Sequence, residues 1–168
     1  MIFSLTLLIL FHQSYCQVGI GEDIARCPVC HSGYEYYQQD KFCYKFYNVC
    51  QTWSEARQVC QNEGGDLISL NNRNLNFFNE LALHKSGSCD DVWVGATDVS
   101  SEGQWNWLNG DKVSSDLWAI NQPDNWDSIE HCGDLHKRFD YELNDADCSR
   151  NKHFICQVAI GSFYRFLD

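Results

Sequence analysis

Hydrophobic positions change rhythm several times along this chain. The run from Ile2 to Phe11 is apolar except at Ser4 and Thr6, residues 42–47 alternate, and the stretches 53–60 and 72–85 repeat at helical spacing. Alternation from Phe42 to Tyr47 predicts a strand, because successive strand side chains face opposite ways. Thr52-Trp53-Ser54-Glu55 has the form of a capping box, a Thr cap with Glu three residues on. The helix it opens places Trp53, Ala56 and Cys60 on one face and stops at Gly64-Gly65, where a left-handed cap favours glycine. A second helix is expected from about Asn72 to Lys85, with Leu75, Phe78, Leu81 and Ala82 as its stripe and Gly87 just past its end. Beyond Val92 the helical period stops. Residues 92–95, 103–107 and 154–157 read as short strands. Residues 109–147 read as a long run with little regular structure, rich in Asn, Asp and Gly and anchored by Trp118, Trp126 and Phe139. Two helices, short strands and one long loop give an α+β domain.

The N-terminal apolar run is too short to span a bilayer. Ser14 and Cys16 stand at minus three and minus one of a cleavage point before Gln17, so residues 1–16 read as a secretory signal peptide, although no Lys or Arg precedes the run. This predicts a secreted, extracellular protein without membrane insertion. The remaining chain divides into a leader over 17–29, one domain over 30–157 and a tail over 158–168. Sequons for N-glycosylation are absent.

Export changes the meaning of the ten cysteines, which then read as disulfides rather than thiols. Cys16 leaves with the signal segment, so nine remain, an odd number that points to a free thiol or a disulfide-linked homodimer. Cys27-x2-Cys30-His31 could form a zinc knuckle, but an oxidising compartment favours cystine. The net charge of −11 disfavours nucleic acid and anionic membranes and suits hard cations. Enzyme signatures are missing: no Gly-rich phosphate loop, no serine elbow, no HExxH. His131 and His136 read as loop histidines.

The order of landmarks resembles that of C-type lectin domains. They are Cys30-x2-Gly33-Tyr34, Cys43-Tyr44, Cys60, Trp93-Val94-Gly95, Trp105-Asn106-Trp107 with Gly110, Gln122-Pro123-Asp124, Glu130-x-Cys132, Asn144-Asp145, Cys148 and Cys156. The resemblance spans residues 30–157. It implies the C-type lectin fold, with short antiparallel sheets, a long calcium-binding loop and disulfides Cys30–Cys43, Cys60–Cys156 and Cys132–Cys148. Cys27, Cys50 and Cys89 fall outside that pattern; pairing Cys50 with Cys89 would leave Cys27 for another chain.

The resemblance also implies a principal calcium site at Gln122, Asp124, Glu130, Asn144 and Asp145. These five side chains carry two amide oxygens and three carboxylates, a hard-oxygen set of the kind calcium takes. Sugar binders of the family let two vicinal hydroxyls complete the shell, with Gln122, Asp124, Glu130 and Asn144 also bonding those hydroxyls. A cis peptide before Pro123 would aim Gln122 and Asp124 at one ion. The Gln-Pro-Asp order resembles members preferring galactose and N-acetylgalactosamine, and Trp126 stands where such members stack an indole on the sugar's apolar face. Glycans ending in these sugars are the expected partners. Departures are visible: no glycine-rich insertion follows Trp126, and Leu143 replaces a Trp. An auxiliary calcium position keeps Asp98 and Glu102 but has Asn125 and His131 where further carboxylates are expected. The alternative is the same scaffold binding a protein or a mineral surface.

Overall fold

The computed structural model describes residues 30–160. The signal segment, the leader, Cys27 and the tail from residue 161 lie outside the described residues.

The elements run β1 (Glu35–Tyr37), β2 (Phe42–Gln51), α1 (Trp53–Asn62), β3 (Asp66–Leu67), α2 (Leu75–Lys85), β4 (Val92–Thr97), β5 (Asn106–Trp107), β6 (Glu130–His136), β7 (Glu142–Asp147) and β8 (Lys152–Ala159). Single 3-10 turns lie at Ser115–Leu117, Trp126–Ser128 and Lys137–Phe139. The strands form one sheet in the order β1-β2-β8-β4-β6-β7, with β3 added beside β8 and β5 beside β4. Most pairings are antiparallel, but β4 and β8 run parallel at Val92↔His153 and Trp93↔Phe154. The expected separate antiparallel sheets are therefore one mixed sheet. The last strand continues to Ala159, two residues past the expected domain end.

Local chemistry explains α1. Thr52 Oγ1 accepts from Glu55 N and the Glu55 carboxylate accepts from Thr52 N, so two orphan amides of the first turn are paired reciprocally. Gly64 takes φ +83°, the left-handed cap the sequence calls for. A Cβ at Gly65 would collide with the Gln157 carbonyl, so glycine lets the helix exit lie against β8. Trp53, Ala56 and Cys60 are buried against Leu67, Trp93, Phe154 and Cys156. Burial of each large side chain contributes about 1.5–3 kcal/mol. The Trp53 indole N–H donates to Val94 O at 2.9 Å, so the buried donor is satisfied.

Helix α2 starts at Leu75, not Asn72. Asn71 and Asn74 hold the preceding turn: Asn71 N donates to Asn74 Oδ1 at 2.8 Å, and Arg73 N to Asn71 Oδ1 at 2.8 Å. Such side-chain bonds stabilise non-helical backbone. Phe78 and Ala82 are fully buried among Tyr37, Tyr44, Ile68 and Val92, with Leu75 and Leu81 partly buried beside them.

Four disulfides join Cys30–Cys43, Cys50–Cys89, Cys60–Cys156 and Cys132–Cys148, which leaves no free cysteine among the described residues. The three pairings implied by the resemblance are present, and so is Cys50–Cys89. Residues 109–147 contain more regular structure than expected. Their second half is the β6–β7 hairpin, paired from Glu130↔Asp147 to His136↔Glu142. His131 and His136 accordingly sit in a strand rather than a loop.

Candidate functional site

The segment from Ala119 to Glu130 crosses the end of the β6–β7 hairpin. It is moored at its start, where Ala119 N donates to Leu143 O at 2.8 Å. Leu143, the residue in place of a Trp, is fully buried in the core. The Gln122–Pro123 peptide is cis. Asn121, Asn125, Asp127 and Ser128 take positive φ of 65°, 44°, 53° and 59°. Asn and Asp tolerate that region better than most residues, which explains the loop's composition.

Carboxylates hold this backbone. Asp145, fully buried on β7, accepts from Asp124 N at 3.1 Å and Asn125 N at 2.7 Å. Glu130 Oε2 accepts from Trp126 N at 3.1 Å. The arrangement brings oxygen atoms of Asp124, Glu130 and Asp145 within 4.8 Å of one another. Burial, opposed by the Trp126 amide, and then the charges of Asp145, Asp124 and Asp134 raise the Glu130 pKa to about 7. Burial likewise raises Asp145. None of the ion pairs among the described residues reaches Asp124, Glu130 or Asp145.

The two amides complete the set. Gln122 Oε1 is buried and without a hydrogen-bond donor. Such an orphan costs about 1–3 kcal/mol unless something meets it. Asn144 commits its nitrogen to Asp134 Oδ1 at 3.0 Å and to the Asp145 carbonyl, which leaves its oxygen for a cation. Carboxylates crowded without a counter-charge, and an orphaned amide oxygen beside them in the chain, fit a hard divalent cation. The structure brings Asp124, Glu130 and Asp145 together, while Gln122 lies two residues before Asp124 in the loop and Asn144 precedes Asp145 on β7.

At the auxiliary position Asp98, Glu102 and His131 also bring ligand atoms within 4.8 Å of one another, but these side chains engage one another and the Gly103 and Asn125 donors. Asp98 is buried, and its Oδ2 accepts from Gly103 N at 2.7 Å. Its other oxygen lies 3.0 Å from His131 Nδ1, which is also 3.3 Å from Glu102 Oε2. Asn125 Nδ2 donates to Glu102 Oε1 at 2.7 Å, while Asn125 Oδ1 accepts from Glu130 N at 3.1 Å. The two substituted positions fill the site with their own side chains. Asn125 also clips it to the principal cluster.

Trp126 is 68% exposed. The sequence grouped it with two anchoring aromatics, and it is a projecting ring instead. Trp118 does anchor, packing edge-on against Trp105 at 4.8 Å. Trp126, Ile129, Glu130 and Asn144 line a groove of about 460 Å³ together with Arg150 and Asn151. Ile129 of the loop, and Arg150 and Asn151 of the turn after β7, were not singled out from the sequence; the closed hairpin brings the last two to the same groove. Asp91 and Lys152 also line the groove; Lys152 Nζ lies 2.5 Å from the fully buried Asp134 and 3.3 Å from Asp91. Burial alone would depress Lys152, but Asp134 and Asp91 outweigh it and hold its pKa above the ordinary value. A second cleft of about 440 Å³, lined by Asn71, Arg73, Trp107 and Lys112, contains none of the predicted site residues.

Residues 49–158 match the model of the lectin C-type domain. C-type lectin lectoxin-Phi1 of Philodryas olfersii is 33% identical over 92% of this chain and 95% of its own length. Galactose-specific lectin nattectin of Thalassophryne nattereri is 31% identical over 84% of this chain and 89% of its own. Among solved structures, C-type lectin CEL-I from Cucumaria echinata superposes with a TM-score of 0.70 at 24% identity, covering 79% of this chain and 99% of that one. With its fold, its disulfides and these matches taken together, the chain belongs to the C-type lectin domain family.

Proposed function

We propose that this protein is an exported, calcium-dependent lectin for glycans ending in galactose or N-acetylgalactosamine. The observation that carries the reading is the uncompensated oxygen cluster: Asp124, Glu130 and Asp145 within 4.8 Å, with the orphaned Gln122 Oε1 two residues from Asp124. Gln122, Asp124, Glu130, Asn144 and Asp145 would hold calcium. Three carboxylates in an open loop suit an affinity of about 10⁻⁴ to 10⁻³ M, as in extracellular modules. Two adjacent sugar hydroxyls would complete the shell and take hydrogen bonds from and to Gln122, Asp124, Glu130 and Asn144. Calcium supplies charge for the hydroxyl oxygens; the chain supplies orientation.

The Gln-Pro-Asp order and the exposed Trp126 ring, whose face would stack on an apolar sugar face, support galactose. A disulfide through Cys27 would link two chains and add avidity to a weak single site. The test is chromatography on immobilised galactose. Retention in calcium, release by chelator, and loss of retention in Asp124→Ala are expected. Passage through galactose and mannose columns alike in calcium would contradict the reading and favour a scaffold for a protein or mineral surface. Non-reducing and reducing gels decide the interchain bridge.

A further inference from the structure

Asn144 is a calcium ligand in the reading above, and an amide can meet a cation with the right end or the wrong one. Its carbonyl oxygen and its NH2 group have nearly the same shape, so hydrogen-bond partners decide which end faces the ion. Here both Nδ2 hydrogens are taken. One reaches Asp134 Oδ1 at 3.0 Å and the other the Asp145 carbonyl. Asp134 is the partner that calls for an explanation. It is fully buried on β6, directly across the ladder from Asn144. A buried carboxylate is costly unless paired, and an apolar pair of similar volume often serves the fold as well or better. The protein keeps the charge and commits Lys152 to it, with Nζ donating to Asp134 Oδ2 at 2.5 Å. Lys152 is in turn enclosed by Asp91 at 3.3 Å and by the Trp93 ring, 4.7 Å from Nζ. The ammonium thus occupies one carboxylate oxygen and the Asn144 amide the other.

We infer that Asp134 is a positioning residue for the ion: it holds the Asn144 amide with Oδ1 turned toward the calcium-binding loop, and Lys152 holds Asp134. This rests on the calcium reading above and deepens it by two residues outside the five proposed ligands. An ionised carboxylate suits the task because it only accepts hydrogen bonds. If the amide turned over, Asn144 Oδ1 would face two acceptors, Asp134 Oδ1 and the Asp145 carbonyl, and the NH2 group would face the cation. The Asp145 carbonyl holds one hydrogen whatever stands at position 134. Asp134 holds the second and is charged, and charge-assisted hydrogen bonds are about twice as strong as neutral ones. The lysine keeps the carboxylate in place. The pair joins β6 to β8, so Asp134 cannot swing away from Asn144 without stripping Lys152 of its closest anion.

The experiment compares two double variants of the full chain by calorimetric calcium titration. Asp134→Asn with Lys152→Met removes the ion pair and keeps an acceptor oxygen for Asn144. Asp134→Leu with Lys152→Met removes the ion pair and the acceptor together. The first is expected to bind calcium within about twofold of wild type, and the second about three- to tenfold more weakly, the range for one lost hydrogen bond. Loss of fold support alone would weaken both alike. A second measurement needs no variant: in the calcium-free wild type, both Nδ2 hydrogens of Asn144 should exchange slowly with solvent by NMR. Equal calcium affinity of the two double variants overturns the positioning role and leaves the calcium reading intact. Fast exchange of either Asn144 hydrogen does the same, and it decides the matter if a double variant does not fold. No saturable calcium binding by the wild type overturns both.

Discussion

Two carboxylate clusters sit next to each other on the β6–β7 hairpin and are neutralised in different ways. Asp134 pairs with Asn144 in the ladder, and Asp145 with Gly133 one rung along. Both aspartates are fully buried. Asp134 has a lysine of the same chain at 2.5 Å, and that lysine is shared with Asp91. Asp145 has only backbone amides, with Asp124 and Glu130 crowding it. One cluster is closed within the polypeptide and holds the hairpin to β8. The other is left with excess negative charge at the surface, where a solvent cation can reach it. At the Asp98–Glu102 position the carboxylates are likewise engaged within the chain, by the Gly103 amide, His131 and Asn125. The difference separates residues that maintain the fold from residues proposed to bind.

The largest expected effect comes from opening the closed cluster. Lys152→Met leaves Asp134 buried without its cation and should destabilise the protein by about 3–5 kcal/mol in denaturant titration, with or without calcium. A cost under about 1 kcal/mol would mean the two clusters are not different in kind. In the open cluster the effect should appear only through calcium. At ~10 mM calcium the wild type should gain about 1.4–2.7 kcal/mol over the chelated protein, from mass action at a dissociation constant of about 10⁻⁴ to 10⁻³ M. Asp124→Ala should lose that gain while its chelated form stays close to wild type.

The pH dependence sharpens the contrast. In the calcium-free protein, Glu130 titrates near 7, above the ordinary carboxylate value. The folded state then binds its proton more tightly than the unfolded chain does. Stability from this group is present at low pH and is lost as pH rises from about 4.5 through 7. Thermal melts across this window should show the loss without calcium, and saturating calcium should flatten it. The smallest effect belongs to the clip. Asn125→Gly keeps the positive φ but removes the bridge to Glu102 and Glu130, and should weaken calcium binding about fivefold with little change in chelated stability.

What the sequence revealed divides along the same line of local against long-range chemistry. Helix α1 was legible because its capping box and its glycine stop lie within the element. The start of α2 was misplaced because the Asn71–Asn74 turn uses side-chain bonds that mimic helix-compatible spacing. The hairpin was read as loop because Glu130–His136 has no alternation. Its polar Asp134 is inward-facing, and the lysine that permits this comes from β8. The five oxygen-bearing residues were proposed through a family resemblance covering both halves of the loop, and the structure groups three of them. The resemblance could not show that Gln122 Oε1 is orphaned while His131 and Asn125 are engaged. Nor could it place Arg150 on the same groove, since that depends on how the turn after β7 folds back.

A calcium titration followed by amide NMR tests the central claim most directly, because Asp124, Asn125 and Trp126 donate their amides to Asp145 and Glu130. Saturable shifts should appear at these three amides and along 143–146 as one ion binds. The amides near Asp98, Gly103 and Lys152 should move little by comparison. Shifts centred on residues 98–103, or no saturable shift at 124–126, would contradict the account.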